Sequence, residues 1–183
     1  EKQCCQNTAA KFLQTLRMII IEAKNNGWIF HDPFANYRIR LKKVDRGYLT
    51  EEELQRILQK KMPCVRLEQV RDVFIFSCFT GLAYIDVRNL TKENIRTSFD
   101  GKLWIMTHRH KTQTSVNVPL LKVPQMLLKK YERTLPDGRL LPVLSNQKLN
   151  SYLKEIADLC GIEKNITFHM GRHNKNCIFQ AMR

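Results

Sequence analysis

A chain of 183 residues is long enough to bury a real hydrophobic core, and it has room for one domain or a small domain plus part of another. Lys and Arg number 31 against 17 Asp and Glu, a net charge of +14, which points first to a polyanionic partner such as nucleic acid, with a merely basic surface as the alternative. No apolar stretch approaches ~18 residues and no signal-peptide pattern opens the chain, so neither a membrane span nor export is expected.

The first predicted element is a helix over 9–23, where Ala9, Phe12, Leu13, Leu16, Ile19, Ile20 and Ala23 recur at helical spacing. Asn7 is its candidate N-cap and Gly27 its candidate C′ residue. An aromatic stretch, Trp28–Phe34, is broken by Pro33. Residues 36–46 carry Arg38, Arg40, Lys42, Lys43 and Arg46 without a strong period. They read as a basic linker, which puts a domain boundary near 45.

Thr50-Glu-Glu-Glu53 is a capping box for a helix through about 60, with Leu54, Ile57 and Leu58 inward. A more apolar helix is predicted over 66–79, stopped by Gly81 and central to a core. The period then changes to two. Asn94–Phe99 and Lys102–His108 flank Asp100-Gly101, a hairpin signal, and Val116–Leu120 is a third candidate strand beyond the polar turn 109–114. Helical patterns return over 123–133 and 146–160, the second capped by Ser145 and ended by Gly161, and Thr167 is a candidate cap for a last helix near Phe168. The order of elements predicts an α+β fold, mostly α-helical, with a small antiparallel three-stranded sheet. The cysteines show no CxxC pair and no metal-ligand spacing, and Cys78 and Cys160 fall in apolar helical patterns, so reduced, buried thiols of a cytoplasmic protein are expected.

Three places carry residues suited to chemistry. One is Phe79-Thr-Gly-Leu-Ala-Tyr-Ile-Asp-Val-Arg-Asn-Leu90, a helix stop running into a short polar–apolar segment. Another is Lys111 in the predicted turn. The third is His169-Met-Gly-Arg172-His173, whose charged positions at i, i+3 and i+4 share one helix face. Cations at a helix start suit a phosphate, because free backbone N–H groups favour an anion and guanidinium holds two of its oxygens. Read singly, each has an ordinary alternative: a capping His, a solvated turn Lys, a structural Arg.

Taken in order, these segments resemble the tyrosine recombinase (phage integrase) family, and in particular integrases of Bacteroides-type mobile elements. The resemblance rests on Phe79-Thr-Gly-Leu82 with Asp86 and Leu90, and on His110-Lys-Thr112 running into Val116–Leu120. It continues through Asn150–Ala157 with Cys160-Gly-Ile162 and ends in Ile166-Thr-Phe-His-Met-Gly-Arg-His173. It implies that residues 1–45 are the last part of a helical core-binding domain plus a basic linker, and that 46–183 are the catalytic domain, the two clamping double-stranded DNA. It further implies strand cleavage and rejoining through a 3′-phosphotyrosine intermediate, in the integration of a mobile element, with no cofactor, no metal and no small-molecule substrate. The implied catalytic residues are Arg172 on the non-bridging oxygens, His169 on the phosphate and the tyrosine proton, and Lys111 as general acid to the leaving 5′-oxygen. Arg38, Arg40, Lys42, Lys43, Arg46, Arg109 and His173 are expected to contact DNA, chiefly its phosphates. A bacterial, cytoplasmic protein acting as a multimer on DNA is implied.

The sequence departs from the family in two ways. Ala83 stands where an arginine usually follows Thr-Gly-Leu, with Arg88 and Arg109 as candidate replacements. The nucleophilic tyrosine belongs beyond the H-x-x-R box, yet Tyr37, Tyr48, Tyr84, Tyr131 and Tyr152 all precede it. The expectation is a recombinase core cut off or frame-shifted close to Arg172, incomplete for cleavage. A catalytically inactive DNA-binding remnant is the other reading.

Overall fold

The computed structural model describes residues 4–43, 47–99, 101–132, 135 and 138–172. The chain divides into two compact units, Glu1–Arg46 and Gly47–Arg183.

The first unit is built on α1, Gln6–Asn25. Its end is a Schellman motif: Trp28 N–H donates to the Ala23 carbonyl and Gly27 N–H to that of Lys24, with Gly27 at φ +72°. Its start differs from the expectation. The N-cap is Cys5, because the Asn7 side chain is engaged elsewhere: Lys42 N–H donates to Asn7 Oδ1 at 2.7 Å, and Asn7 Nδ2 donates to the Lys42 carbonyl at 2.9 Å. That pair of bonds fastens the basic segment to the helix. The apolar stripe of α1 remains largely in solvent, with Phe12 69% and Ile19 62% exposed.

In the second unit, α2 (Glu51–Gln59) opens with the predicted capping box. Glu53 N–H donates to Thr50 Oγ1 while Thr50 N–H donates to a Glu53 carboxylate oxygen. The central element is α3, Val65–Thr80, apolar nearly all round because α2, α4, α5 and α6 pack against it. Val73, Phe74, Ile75, Phe76 and Cys78 are fully buried there. Gly81 stops the helix at φ +69°, a left-handed conformation that a residue with a Cβ resists.

The five-residue helix α4, Tyr84–Arg88, was not anticipated as a helix. The sheet is a meander of β1 (Ile95–Thr97), β2 (Leu103–His108) and β3 (Ser115–Pro119), antiparallel throughout. Ile95, Ile105 and Val118 lie side by side in the register, with Ile105 and Val118 buried in the core. The hairpin between β1 and β2 is closed by Ser98 N–H to the Lys102 carbonyl. Helices α5 (Lys122–Tyr131) and α6 (Asn146–Leu159) follow, the latter capped by Ser145. Helical backbone resumes over 168–172.

One charged cluster pins α5 to α3. Asp72, 2% exposed, accepts from the Tyr131 hydroxyl at 2.8 Å and from Lys130 Nζ, and Arg71 donates to its other oxygen. Burial, then the Asp72 hydrogen bond, pushes the Tyr131 phenol above its ordinary range. Burial pulls the Lys130 ammonium down, but the bonds to Asp72 and Glu68 outweigh it and hold its pKa up.

Candidate active site

The Thr80–Leu82 turn is rigid because its polar groups are bonded locally. Gly81 N–H donates to the Ser77 carbonyl at 2.8 Å, Ser77 Oγ donates to that of Leu82, and Thr80 Oγ1 to that of Phe76. The chain therefore leaves α3 at a fixed angle and delivers Ala83 and α4 beside the 168–172 helical turn.

That helical turn is held from three sides. Phe168 N–H donates to Asn150 Oδ1 at 2.8 Å, so an α6 carboxamide engages the first N–H, and Thr167 stands just before the helical backbone, at the cap position expected of it. The Phe168 ring is buried edge-on against Phe74 and Tyr84. Gly171 faces α3 so closely that a Cβ there would stand 3.1 Å from Phe74 Cε2 and 3.2 Å from Cys78 Sγ. A larger residue there would make Phe74 or Cys78 give by a few tenths of an ångström, and this seating sets where His169 and Arg172 emerge.

They emerge together. His169 is exposed and Arg172 half-buried, and both line a hollow of about 260 Å³ with Ala83, Tyr84, Ile85 and Asn146. The Tyr84 hydroxyl in this hollow is engaged, donating to the Leu144 carbonyl at 2.9 Å. Arg172 also lines a second hollow of about 320 Å³ with Thr80, Gly81, Asp86, Val116 and Arg109.

The β2–β3 turn brings Arg109 there. Arg109 N–H donates to the Thr114 carbonyl, Gln113 N–H donates to that of Arg109, and Gln113 takes a left-handed φ of +53°. His110 N–H donates to Asp86 Oδ1 at 3.2 Å, which ties the turn to α4. Lys111 is exposed on the same turn and lines neither hollow. Arg88, at the end of α4, is exposed and lines neither. Of the linker cations, Arg38, Arg40, Lys42 and Lys43 are exposed. Arg46, His173 and the tail 174–183 lie outside the described residues.

The site thus gathers His169, Arg172 and Arg109 around Ala83 and Asp86. Sequence reasoning missed Asn146 as a wall residue and Asn150 as the acceptor of the Phe168 N–H. The available signal was Gly171: a glycine inside a helix start marks a close approach.

No protein-family model matches the sequence, and no curated protein gives a significant match. Solved structures do. A lambda integrase dimer bound to a COC′ core site superposes with a TM-score of 0.77 at 19% identity, over 97% of this chain and 53% of that one. The Tn1549 transposon integrase in complex with circular intermediate DNA gives 0.70 at 13% identity, over 97% of this chain and 67% of that one. The XerH site-specific recombinase bound to difH substrate gives 0.58 at 24% identity, over 80% and 46%. The chain spans about half the length of the lambda integrase it resembles. These proteins are tyrosine recombinases, and the fold of this chain, mostly helical with a three-stranded antiparallel sheet, is that of their catalytic domain.

Proposed function

We propose that the chain is the phosphate-holding part of a tyrosine recombinase that integrates a mobile element, acting on double-stranded DNA as one subunit of a multimer. The observation that carries this reading is the emergence of His169 and Arg172 into one hollow beside Ala83, on a fold shared with DNA-bound recombinases. In the proposed reaction a tyrosine oxygen attacks the scissile phosphorus. A 3′-phosphotyrosine bond forms as the bond to the 5′-oxygen breaks, and the leaving oxygen takes a proton. Arg172 holds the non-bridging oxygens as charge builds on them, His169 handles the tyrosine proton, and Lys111 is the acid.

Preorganisation is what the scaffold contributes. The backbone that carries Arg172 is set through Gly171 and Asn150, so the guanidinium starts from a fixed point beside the hollow. Residues 1–45 are assigned as the end of a core-binding domain with its basic linker, and 46–183 as the catalytic domain. Arg38, Arg40, Lys42 and Lys43 then sit on backbone phosphates.

A binding-only remnant is the second reading, and one observation favours it. The tyrosine in the His169–Arg172 hollow, Tyr84, has its hydroxyl engaged with Leu144. Tyr84 is thereby committed to the scaffold, and binding needs only the cations, whereas cleavage needs a free phenol.

Fluorescence anisotropy on a labelled duplex of ~30 bp tests the shared part of both readings. Neutralising several phosphates makes log affinity fall linearly with log salt, by about 0.9 per phosphate. Steep salt dependence that weakens in Arg172→Ala is expected. Absence of binding at ~50 mM salt overturns the proposal.

A further inference from the structure

The larger of the two hollows holds an arginine that the proposed chemistry leaves without a role. Arg109 reaches it from the end of β2 and Arg172 from the 168–172 helical turn, and the other walls are Thr80, Gly81, Leu82, Asp86 and Val116. The neutral donors there are already engaged: the Thr80 hydroxyl with the Phe76 carbonyl, the Gly81 N–H with that of Ser77. Asp86 accepts the His110 N–H through Oδ1. Among the described residues neither guanidinium makes an ion pair. Two cations sharing one hollow with a single carboxylate leave an excess positive charge, which an anion between them relieves.

The backbone that carries Arg109 is also preformed. Arg109 is bracketed by bonds through its own N–H and carbonyl and through the N–H of His110, so its backbone is set before any ligand arrives. Arg88 has no such placement.

Resting on the phosphodiester reading above, we infer that Arg109 and Arg172 grip one and the same phosphate group. Arg109 thereby supplies, from the β2–β3 turn, the guanidinium that Ala83 cannot. Two forks on one tetrahedral anion fix its orientation as well as its position, since each guanidinium presents paired N–H groups to paired oxygens.

A double-mutant cycle on duplex binding tests this. The proteins are the wild type, Arg109→Ala, Arg172→Ala and the double variant, with Arg88→Ala and Arg88→Ala/Arg172→Ala alongside. Arg109 is exposed, so its truncation leaves the core intact, and Arg109→Lys keeps the charge without the fork. Each of the first two single variants is expected to weaken binding by about tenfold or more. The double variant loses clearly less than the product of the two, because either arginine alone holds the shared phosphate poorly. Arg88→Ala and Arg172→Ala combine multiplicatively, and Arg109→Lys recovers only a small part of the loss. Multiplicative losses for Arg109 and Arg172, or unchanged binding in Arg109→Ala, overturn the inference. A wild type with no salt-dependent duplex binding overturns instead the reading on which it rests.

Discussion

The backbone N–H of His110 donates to Oδ1 of Asp86 across 3.2 Å, joining the turn that carries Arg109 and Lys111 to the short helix that follows Ala83. Asp86 is 9% exposed, so this carboxylate acts inside the protein, as a latch between two site-bearing segments. Asp86→Ala leaves the His110 N–H without its partner and is expected to lower stability by about 1–2 kcal/mol, with Asp86→Asn costing less because an oxygen acceptor remains. Urea midpoints read the first effect, and faster amide exchange at His110 locates it.

Gly171→Ala puts a methyl group within 3.1 Å of Phe74 and 3.2 Å of Cys78, both fully buried. Overpacking of this kind costs about 1–3 kcal/mol. The 168–172 turn is expected to lift from α3, carrying Arg172 with it, so duplex binding falls along with thermal stability. Loss of stability with undiminished binding would show that Arg172 does not depend on this seating.

Glu53 gives the fold an acid-sensitive joint. Burial alone raises its pKa, but the hydrogen bond from Lys164, 2.7 Å away, and those from Thr50 outweigh it and hold the carboxyl below its ordinary 4.5. The unfolded chain therefore binds the proton more tightly, and stability rises with pH between the folded and unfolded values. The contribution is complete above the ordinary value and is lost as pH falls through the folded one. Glu53→Gln should remove this part of the acid dependence, seen as a shallower fall in melting temperature below about pH 5.

Asp72 receives more than one donor, so its removal and the removal of one donor differ in kind. Tyr131→Phe takes away a single hydroxyl and is expected to cost about 1 kcal/mol. Asp72→Ala takes the buried acceptor from Tyr131, Lys130 and Arg71 together, leaving the two cations only Glu68, and is expected to cost more, about 2–3 kcal/mol. Chemical denaturation of the two variants ranks them.

Elements that announce themselves locally were legible. The Thr50–Glu53 box, the all-round apolar α3 ending at Gly81 and the Ser145 cap each depend on neighbours a few residues away. Helix α4 was not, because five residues carry no period, and its place is set by contacts such as Tyr84 with Leu144. Likewise Asn150 accepts from a turn 18 residues downstream, and Asn7 bonds to Lys42 rather than to its own helix. The site was legible as residue types, His169 and Arg172 above all. That Arg109 faces Arg172 while Lys111 and Arg88 do not depends on the β2–β3 turn meeting α4 and the 168–172 turn, a tertiary relation no local pattern encodes.

Arg172 is a wall common to both hollows, with His169 on one side and Arg109 on the other. A phosphate seated at Arg172 therefore lies between the hollow that His169 enters and the one that Arg109 enters. Truncating Arg172 removes a partition as well as a charge, so the two hollows would merge around whatever anion remains.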